Sequence, residues 1–169
     1  MLFVCTGNVH RSVLAERLLA LHAPSLTVSS AGTEAGSVPG MDTATRSVLA
    51  ELGGQGRDFT SRRLTAELVS RADLVLGLAR EHREAAVRLW PAGLRRSFTL
   101  REFVRLSGDL TPGGVARAAS ARGTLPVPPA AADDVADPWG AGYDALRACG
   151  ASIDGVLRQL ILSPTRPFP

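Results

Sequence analysis

The chain has 169 residues, 45% of them hydrophobic, and a net charge of +3 that arises from 19 arginines, without any lysine, against 16 acidic residues. This length and composition fit one soluble globular domain over residues 1–169, and the apolar stretches are too short to cross a membrane. The arginines are not interleaved with aromatic residues, which argues against a nucleic-acid partner; an arginine-only basic set is typical of a GC-rich bacterial genome.

The predicted elements alternate between short apolar strands and helices with a 3.6-residue apolar period. Strands are predicted over residues 1–5, 26–32 and 73–79 and at the start of 97–106. Helices are predicted over 11–21, 42–52, a short segment ending near Arg71, 80–89, the end of 97–106, and 141–162. Asp42 is expected to cap the second helix, and either Thr65 or Ser61 the third. Residues 122–140, rich in proline and alanine, are predicted to form a surface loop.

This alternation predicts a parallel sheet that is covered by helices on both faces. Ligands of such sheets bind beyond the carboxyl ends of the strands. Cys5 ends the first predicted strand and therefore lies in that position. Sheet topology and the opening sequence thus indicate the same place for a functional site.

Cysteine and histidine are too sparse to suggest a metal site. The only cysteines are Cys5 and Cys149, no C-x-x-C pair occurs, and the three histidines are scattered along the chain. The N-terminus lacks the basic start and the long apolar middle of a signal peptide, so we expect a cytoplasmic protein with reduced thiols and no membrane partner.

The loop between the first strand and the first helix has the composition of an anion cradle. Gly7 and Asn8 tolerate the left-handed backbone that a tight curl requires, and a helix N-terminus adds partial positive charge. Arg11 follows Cys5 by six positions, so its guanidinium can return to the bound anion. Positive potential of this kind favours the thiolate form of a cysteine. The residues predict a nucleophile aimed at a phosphorus atom.

At this point the sequence resembles a known family. VCTGNVHRS (4–12) resembles the phosphate loop of the low-molecular-weight protein tyrosine phosphatases, SSAGT (29–33) the end of their second strand, and ADPWG (136–140) their general-acid loop. The blocks occur in the family's order and spacing. The resemblance implies a single three-layer α/β domain: a four-stranded parallel sheet with helices on both faces and the phosphate loop after the first strand. It also implies that no metal or organic cofactor is used.

The resemblance implies a role for each matching residue. Cys5 would attack phosphorus and form a phosphocysteine, Arg11 would clamp the phosphate oxygens, and Asp137 would protonate the leaving oxygen and later activate water. Ser12 would stabilise the Cys5 thiolate, and Asn8 would hold the loop's shape. The expected phosphate-binding set is Thr6, Gly7, Asn8, Val9, His10, Arg11 and Ser12. The loop would also bind sulfate or vanadate, and the substrate would be a phosphotyrosyl protein, with a bacterial tyrosine kinase as one candidate.

The acid loop has a simpler interpretation as well. Asp137-Pro138-Trp139 is typical of an ordinary turn, because proline favours an extended backbone in the residue before it. Asp133 and Asp134 lie nearby and are either solvated side chains or alternative acids. Trp139 is expected either to line the substrate cleft and stack on an aromatic ring or to be a half-buried packing residue.

Two departures from the family pattern affect regulation and the substrate cleft. His10 occupies the position where many relatives have a second cysteine, so protection of Cys5 by a reversible disulfide is lost; we expect this histidine to face solvent. The segment 34–42 lacks the aromatic residue that is common in relatives. These differences affect substrate identity more than catalysis.

Several alternatives share this scaffold or this loop. Phosphoarginine phosphatases carry threonine at the position of Val9, whereas the tyrosine-specific members carry a branched aliphatic residue, which favours phosphotyrosine. Arsenate reductases need further thiols, and Cys149 is the only other one, predicted to be buried in the last helix. A phosphate-binding protein without catalysis would need neither Cys5 nor Asp137.

Overall fold

The computed structural model describes residues 1–106, 109–111, 113–124 and 130–162. Its centre is a four-stranded parallel sheet with the strand order β2-β1-β3-β4. The strands are β1 (Leu2–Cys5), β2 (Ser29–Gly32), β3 (Val75–Gly77) and β4 (Ser97–Thr99). The predicted four-stranded parallel sheet is confirmed, although β2 and β3 are shorter than predicted.

Helices cover both faces of this sheet. They are α1 (Arg11–His22), α2 (Thr43–Glu51), α3 (Ala66–Arg71), α4 (Arg80–Leu89), α5 (Leu100–Leu106), α6 (Gly114–Ala121) and α7 (Tyr143–Leu162). Short 3₁₀ helices occur at Pro91–Arg96 and Ala130–Asp133. In the described part of the chain, no helix combines the length and the apolar character that a membrane span requires.

Alternation along β1 divides the core into two layers. Phe3 and Cys5 belong to the larger apolar cluster, together with side chains of α1 and α7, whereas Leu2 and Val4 belong to a smaller cluster with side chains of α3 and α4. Successive residues of a strand point to opposite faces, so a central strand buried on both faces is apolar throughout. This arrangement is the predicted three-layer α/β architecture.

Side-chain caps fix the starts of two helices. The Asp42 carboxylate accepts a hydrogen bond from the Thr45 N–H (2.9 Å), which confirms the predicted cap of α2. Thr65, rather than Ser61, caps α3, with its hydroxyl accepting from the Leu68 N–H (3.3 Å). Ser61 instead bonds to the backbone of the preceding loop, with its Oγ 2.9 Å from the Gly36 oxygen.

The sequence pattern predicts no element for residues 107–121, but the structure contains α6 there. Its buried residues are Gly114, Ala118 and Ala121, so it carries no large apolar side chain with helical spacing. The predicted surface loop 122–140 contains the second 3₁₀ helix and a buried side chain, Val135, which is 2% exposed. Within it, residues 125–129 lie outside the described residues.

Candidate active site

Cys5 lies at the carboxyl end of β1, where the sheet topology predicts a ligand site, and it is 3% exposed. Residues 6–10 connect it to the start of α1 at Arg11. Within the described residues, the backbone N–H groups from 7 to 12 donate to no protein acceptor. A loop with free amides at a helix N-terminus is suited to hold a tetrahedral anion.

A chain of hydrogen bonds connects Cys5 to the interior of the loop. The Cys5 sulfur lies 2.9 Å from the Ser12 hydroxyl oxygen, and that oxygen accepts a bond from the Asn8 amide nitrogen (3.0 Å). Because Asn8 occupies one lone pair of the Ser12 oxygen, the hydroxyl proton is free to point at the sulfur. The Ser12 hydroxyl is thus oriented to donate a hydrogen bond to the Cys5 sulfur.

Asn8 holds the loop through both ends of its amide. It is fully buried with a φ of 53°, in the left-handed region that the sequence predicts for this curl. Its amide nitrogen also donates to the Ser30 hydroxyl (2.8 Å), and its oxygen accepts from the Arg62 N–H (2.9 Å). The Ser30 hydroxyl in turn donates to the Glu16 carboxylate (2.5 Å). Asn8 thus connects the loop to β2 and to the segment that follows Ser61.

Gly32, at the end of β2, lets the loop lie directly against the strand. A β-carbon at this position would lie 2.5 Å from the Thr6 oxygen and 2.7 Å from the Asn8 nitrogen. Both atoms are backbone, so neither can rotate away from the added carbon. The final glycine of SSAG is therefore required by the close approach of the phosphate loop.

We expect Gly32→Ala to lower the free energy of unfolding by about 2 kcal/mol or more, because overpacking must displace the loop backbone. Phosphate affinity should fall with it. Urea unfolding and calorimetric phosphate titration measure the two effects. Gly155→Ala is the matched control, because a β-carbon on that helical glycine meets nothing within 4 Å; a loss of stability there as large as at Gly32 would contradict the packing argument.

Arg11 and Asp137 meet across the cleft, although 126 positions separate them. An Arg11 Nη2–Oδ2 ion pair of 2.5 Å joins the two side chains. The Arg11 side chain is 5% exposed and also donates to the Val135 carbonyl (3.3 Å), whereas the Asp137 side chain is 50% exposed. The structure therefore brings the predicted clamp and the predicted acid to the same point.

The acid loop is anchored beside the sheet by backbone bonds. The Val135 N–H donates to the Leu78 carbonyl just beyond β3 (2.7 Å). Asp134 accepts from the Arg80 N–H at the start of α4 (2.8 Å), and Asp133 pairs with Arg105 (3.0 Å). The carboxylates of Asp133 and Asp134 thus have structural partners, and neither residue lines the cavity above Cys5.

Trp139 and His10 face each other at the mouth of the cleft. Their ring centroids are 5.6 Å apart, and Trp139 is 72% exposed, so it lines the cleft and is not half-buried. The expectation that His10 faces solvent is wrong: its side chain is 15% exposed, and its Nδ1 lies 2.6 Å from the Thr45 hydroxyl. Burial lowers the pKa of His10, and the nearby Asp42 carboxylate partly opposes this shift.

His82 is a residue of the site that the sequence did not indicate. It lies in the first turn of α4, is 1% exposed, and its Nε2 is 3.0 Å from the Thr6 hydroxyl. That hydroxyl oxygen is also within 3.5 Å of Arg11 Nη2. If Thr6 accepts from Arg11, its proton is available to His82, and the neutral ring then carries its proton on Nδ1. The sequence hinted at His82 through its position alone, because His82 lies at the start of the helix that follows β3, the strand next to β1.

Burial, together with the nearby Arg11 charge, lowers the pKa of His82 to about 4. The neutral ring therefore forms no ion pair with Glu81, whose carboxylate is 3.4 Å away. An unfolded histidine titrates near pH 6.5, so between pH 6.5 and 4 the unfolded chain binds more protons than the folded one. Stability then falls as the pH is lowered through this range.

We expect this linkage to remove on the order of 3 kcal/mol of unfolding free energy between pH 6.5 and pH 4. His82→Gln should show a correspondingly smaller acid loss, because glutamine does not titrate. Urea unfolding at steps of half a pH unit gives the free energy of unfolding of both proteins. Because the two proteins have the same carboxylates, the contribution of these groups to the pH dependence cancels in the difference. Parallel pH profiles for both proteins would contradict a neutral, buried His82.

A cavity of about 310 Å³ lies above the loop and is bounded by Cys5, Thr6, Gly7, Val9, His10, Arg11, Glu34, Asp137 and Trp139. Asn8 and Ser12 are absent from this lining because they are buried beneath the loop. Glu34 at its rim is a further residue that sequence reasoning missed. No group of three or more His, Cys, Asp or Glu side chains in the described ranges is placed to hold a metal ion.

Cys149 is buried in α7, as predicted, and is 7% exposed. Burial raises the pKa of its thiol to about 11. A thiol that stays protonated at neutral pH is a poor nucleophile. Cys149 is therefore unsuited to the thiol relay that an arsenate reductase would require.

Comparison with known proteins agrees with this site. Residues 1–111 match the model of the low molecular weight phosphotyrosine protein phosphatases. The chain belongs to this family. It is 42% identical over 82 residues to the low molecular weight protein-tyrosine-phosphatase Wzb of Salmonella typhi, an alignment that covers 48% of this chain and spans 55% of Wzb.

Two other family members align over almost the whole chain. A protein-arginine-phosphatase of Geobacillus stearothermophilus is 30% identical over 161 residues, which is 95% of this chain and 92% of the relative. The solved structure of the Erwinia amylovora tyrosine phosphatase AmsI superposes with a TM-score of 0.74 at 23% identity, covering 94% of this chain and 87% of AmsI. At this identity the likeness to AmsI concerns the fold alone.

Proposed function

We propose that this family member is a cysteine-dependent protein tyrosine phosphatase that works through a phosphocysteine intermediate. The proposal rests on one observation: Cys5, Arg11 and Asp137 all line the same cavity. Beside them lie backbone N–H groups that donate to no acceptor within the described residues. A nucleophile, a cationic clamp and an acid are the groups that phosphate transfer to a thiol requires.

In the first step the Cys5 thiolate attacks phosphorus, and the bond from phosphorus to the tyrosyl oxygen breaks. The Ser12 hydroxyl, which Asn8 orients, lowers the energy of the thiolate before attack. The loop amides and the Arg11 guanidinium hold the three equatorial oxygens, whose charge must be stabilised in the transition state. Asp137 gives its proton to the leaving tyrosyl oxygen, so that a neutral phenol departs.

The Arg11–Asp137 ion pair must separate for this chemistry. A bound phosphate competes with the Asp137 carboxylate for the Arg11 guanidinium, and an Asp137 released from the arginine can take up the proton that it later donates. In the second step Asp137 accepts a proton from water while that water attacks the phosphocysteine. Inorganic phosphate leaves, and the Cys5 thiolate is restored.

Asp137→Asn tests the acid role through the leaving group. We expect kcat/KM, which reports the steps up to departure of the leaving group, to fall about 100-fold or more with phenyl phosphate, whose leaving oxygen needs a proton, and far less with a dinitrophenyl phosphate, whose anion leaves unaided. Steady-state kinetics with both esters measures the ratio. Asp133→Asn is the control, because that carboxylate pairs with Arg105 away from the cleft. Equal losses for both esters would argue against general acid catalysis by Asp137.

Phosphoarginine is the second candidate substrate. The alignment with a protein-arginine-phosphatase over 95% of the chain favours it, and Glu34 at the rim offers a carboxylate to a guanidinium group. Val9 in the cavity wall favours phosphotyrosine, because it has no hydroxyl to orient a guanidino phosphate, and the exposed Trp139 ring can stack on a phenol. We therefore place phosphotyrosine first.

The deciding experiment compares phosphate release from a phosphotyrosyl and a phosphoarginyl peptide of the same sequence, with Cys5→Ser as the blank. Faster turnover of the tyrosyl peptide supports the proposal. Val9→Thr should then shift the ratio toward the arginyl peptide. If the unsubstituted protein hydrolyses the phosphoarginyl peptide faster, the proposed mechanism still holds but the substrate is phosphoarginine. The natural partner we propose is a phosphotyrosyl protein of the bacterial cytoplasm.

A further inference from the structure

A second cavity opens beside the catalytic one. It has a volume of about 520 Å³ and shares Thr6 and Glu34 with the lining of the catalytic cavity. We call it the flank cavity; its outer walls are formed by Arg63, Leu64, Arg88 and Leu89. Because the two cavities have lining residues in common, they adjoin each other at Thr6 and Glu34.

The backbone that carries each arginine of the flank cavity is firmly placed. Residues 62–64 pair with the end of β2: the Gly32 N–H donates to the Arg62 carbonyl (2.9 Å), and the Leu64 N–H donates to the Gly32 carbonyl (2.7 Å). Arg88 lies in the last turn of α4, and the first turn of that helix is tied to the phosphate loop through His82 and Thr6. The two positively charged side chains therefore start from fixed points on either side of the cavity.

The charges of the flank cavity are unevenly distributed along it. Within the described residues, neither Arg63 nor Arg88 forms an ion pair or a side-chain hydrogen bond, and both are exposed. Of the two acidic residues in the lining, Glu81 lies against the His82 ring at 3.4 Å, and Glu34 lies at the boundary with the catalytic cavity. Within the described residues neither carboxylate has a cationic partner either, but both lie toward the phosphate loop, since Glu81 is in the first turn of α4 whereas Arg88 is in its last turn. The outer part of the cavity thus holds two guanidinium groups, which bind carboxylates in a bidentate manner.

We propose that the flank cavity binds an acidic side chain of the phosphoprotein substrate, close in sequence to the phosphorylated residue; this inference rests on the proposed phosphatase function. Arg63 and Arg88 bind the carboxylate, and Leu64 and Leu89 form an apolar part of the same wall. Glu34 repels the carboxylate from the catalytic cavity, so that the phosphate alone enters the loop.

The reach of a peptide limits where the acidic residue can stand. An extended chain advances about 3.3–3.6 Å per residue, so neighbours within three positions of the phosphorylated residue can reach a contiguous cavity. The test therefore uses phosphotyrosyl peptides of one length that carry aspartate, asparagine or lysine at a single position from −3 to +3. Comparing aspartate with asparagine isolates the charge, because the two side chains have nearly the same shape.

We expect aspartate at the favoured position to raise kcat/KM about threefold to tenfold over asparagine, with lysine below both. Arg63→Gln and Arg88→Gln should each reduce this ratio, and the double variant should bring it to about one. Arg95→Gln is the matched control, because Arg95 is exposed but lies outside the lining of the flank cavity. Each rate is divided by that variant's rate with phenyl phosphate, so changes in the chemistry itself cancel.

A preference for lysine peptides, or an aspartate preference that survives in the double variant, would overturn the proposal. Equal rates for all three peptide types at every position would do the same. Calorimetric binding of the same peptides to Cys5→Ser separates this inference from the proposed function. If phenyl phosphate is not hydrolysed, the phosphatase proposal fails; tighter binding of the aspartate peptides that depends on Arg63 and Arg88 would still establish the acidic subsite.

Discussion

Cys5→Ser is expected to lower kcat by a factor on the order of 10⁴ or more, while inorganic phosphate binds within about threefold of its original affinity. Serine keeps the size of the side chain and the bond to Ser12, whose oxygen lies 2.9 Å from the Cys5 sulfur. It cannot supply a thiolate, since an alcohol remains protonated at neutral pH. The loop amides and Arg11, which we propose bind the phosphate, are unchanged.

Stopped assays of phosphate release and calorimetric titration with phosphate measure the two quantities. Cys149→Ser makes the same chemical change at the other thiol, which is buried in α7 and absent from the catalytic cavity. This control should keep its turnover at 25 °C even where its melting temperature falls. If both serine variants lose activity equally, the loss reflects folding. Turnover near that of the unsubstituted protein in Cys5→Ser would reject a phosphocysteine.

The parts of the site that the sequence predicted are those fixed by local residues. A buried strand, a glycine–asparagine curl and a helix start lie within residues 1–12, and their local backbone preferences favour a Cys5 that lies beneath a helix N-terminus. The alternation of elements likewise predicts a parallel sheet. Caps such as Asp42 and Thr65 are also local, since their bonds span three residues.

The parts that were missed depend on contacts between distant segments. His82 contacts Thr6 across 76 positions of the sequence, and His10 contacts Thr45 across 35. The residues next to each histidine in the sequence therefore do not indicate these contacts. The need for Gly32 arises from the approach of the phosphate loop, which strand patterns do not encode. α6 was missed for another reason, because it is built from small residues that give no apolar period.

The acid loop lies between these cases. Resemblance to the family singled out Asp137, but the choice between it and its neighbours could be made only in three dimensions. Backbone bonds of Val135 to Leu78 and to Arg11 fix the loop, and Asp133 and Asp134 are engaged elsewhere. Asp137 is the one carboxylate of the three that lines the catalytic cavity.

Arg11→Lys is expected to lower kcat/KM for a phosphotyrosyl peptide by about 10²–10³ while also weakening phosphate binding, in contrast to Cys5→Ser. The guanidinium donates toward Val135, Asp137 and Thr6, which lie on two different segments, from a side chain only 5% exposed. An ammonium group keeps the charge but cannot form the bidentate fork, so at most one phosphate oxygen of the transition state is held in the required direction. A lysine also leaves the Val135 carbonyl without its donor.

Kinetics with the phosphotyrosyl peptide and calorimetric phosphate titration measure this loss, and urea unfolding shows how much of it is structural. Arg158→Lys is the control: that arginine forms an i,i+4 ion pair with Asp154 on α7, which lysine can also form. The control should keep its full rate, and its stability should change by less than about 0.5 kcal/mol. If Arg11→Lys retained a third or more of the original kcat/KM, charge alone would be sufficient at this position. The planar fork, which ties the phosphate loop to the acid loop, would then have no part in catalysis.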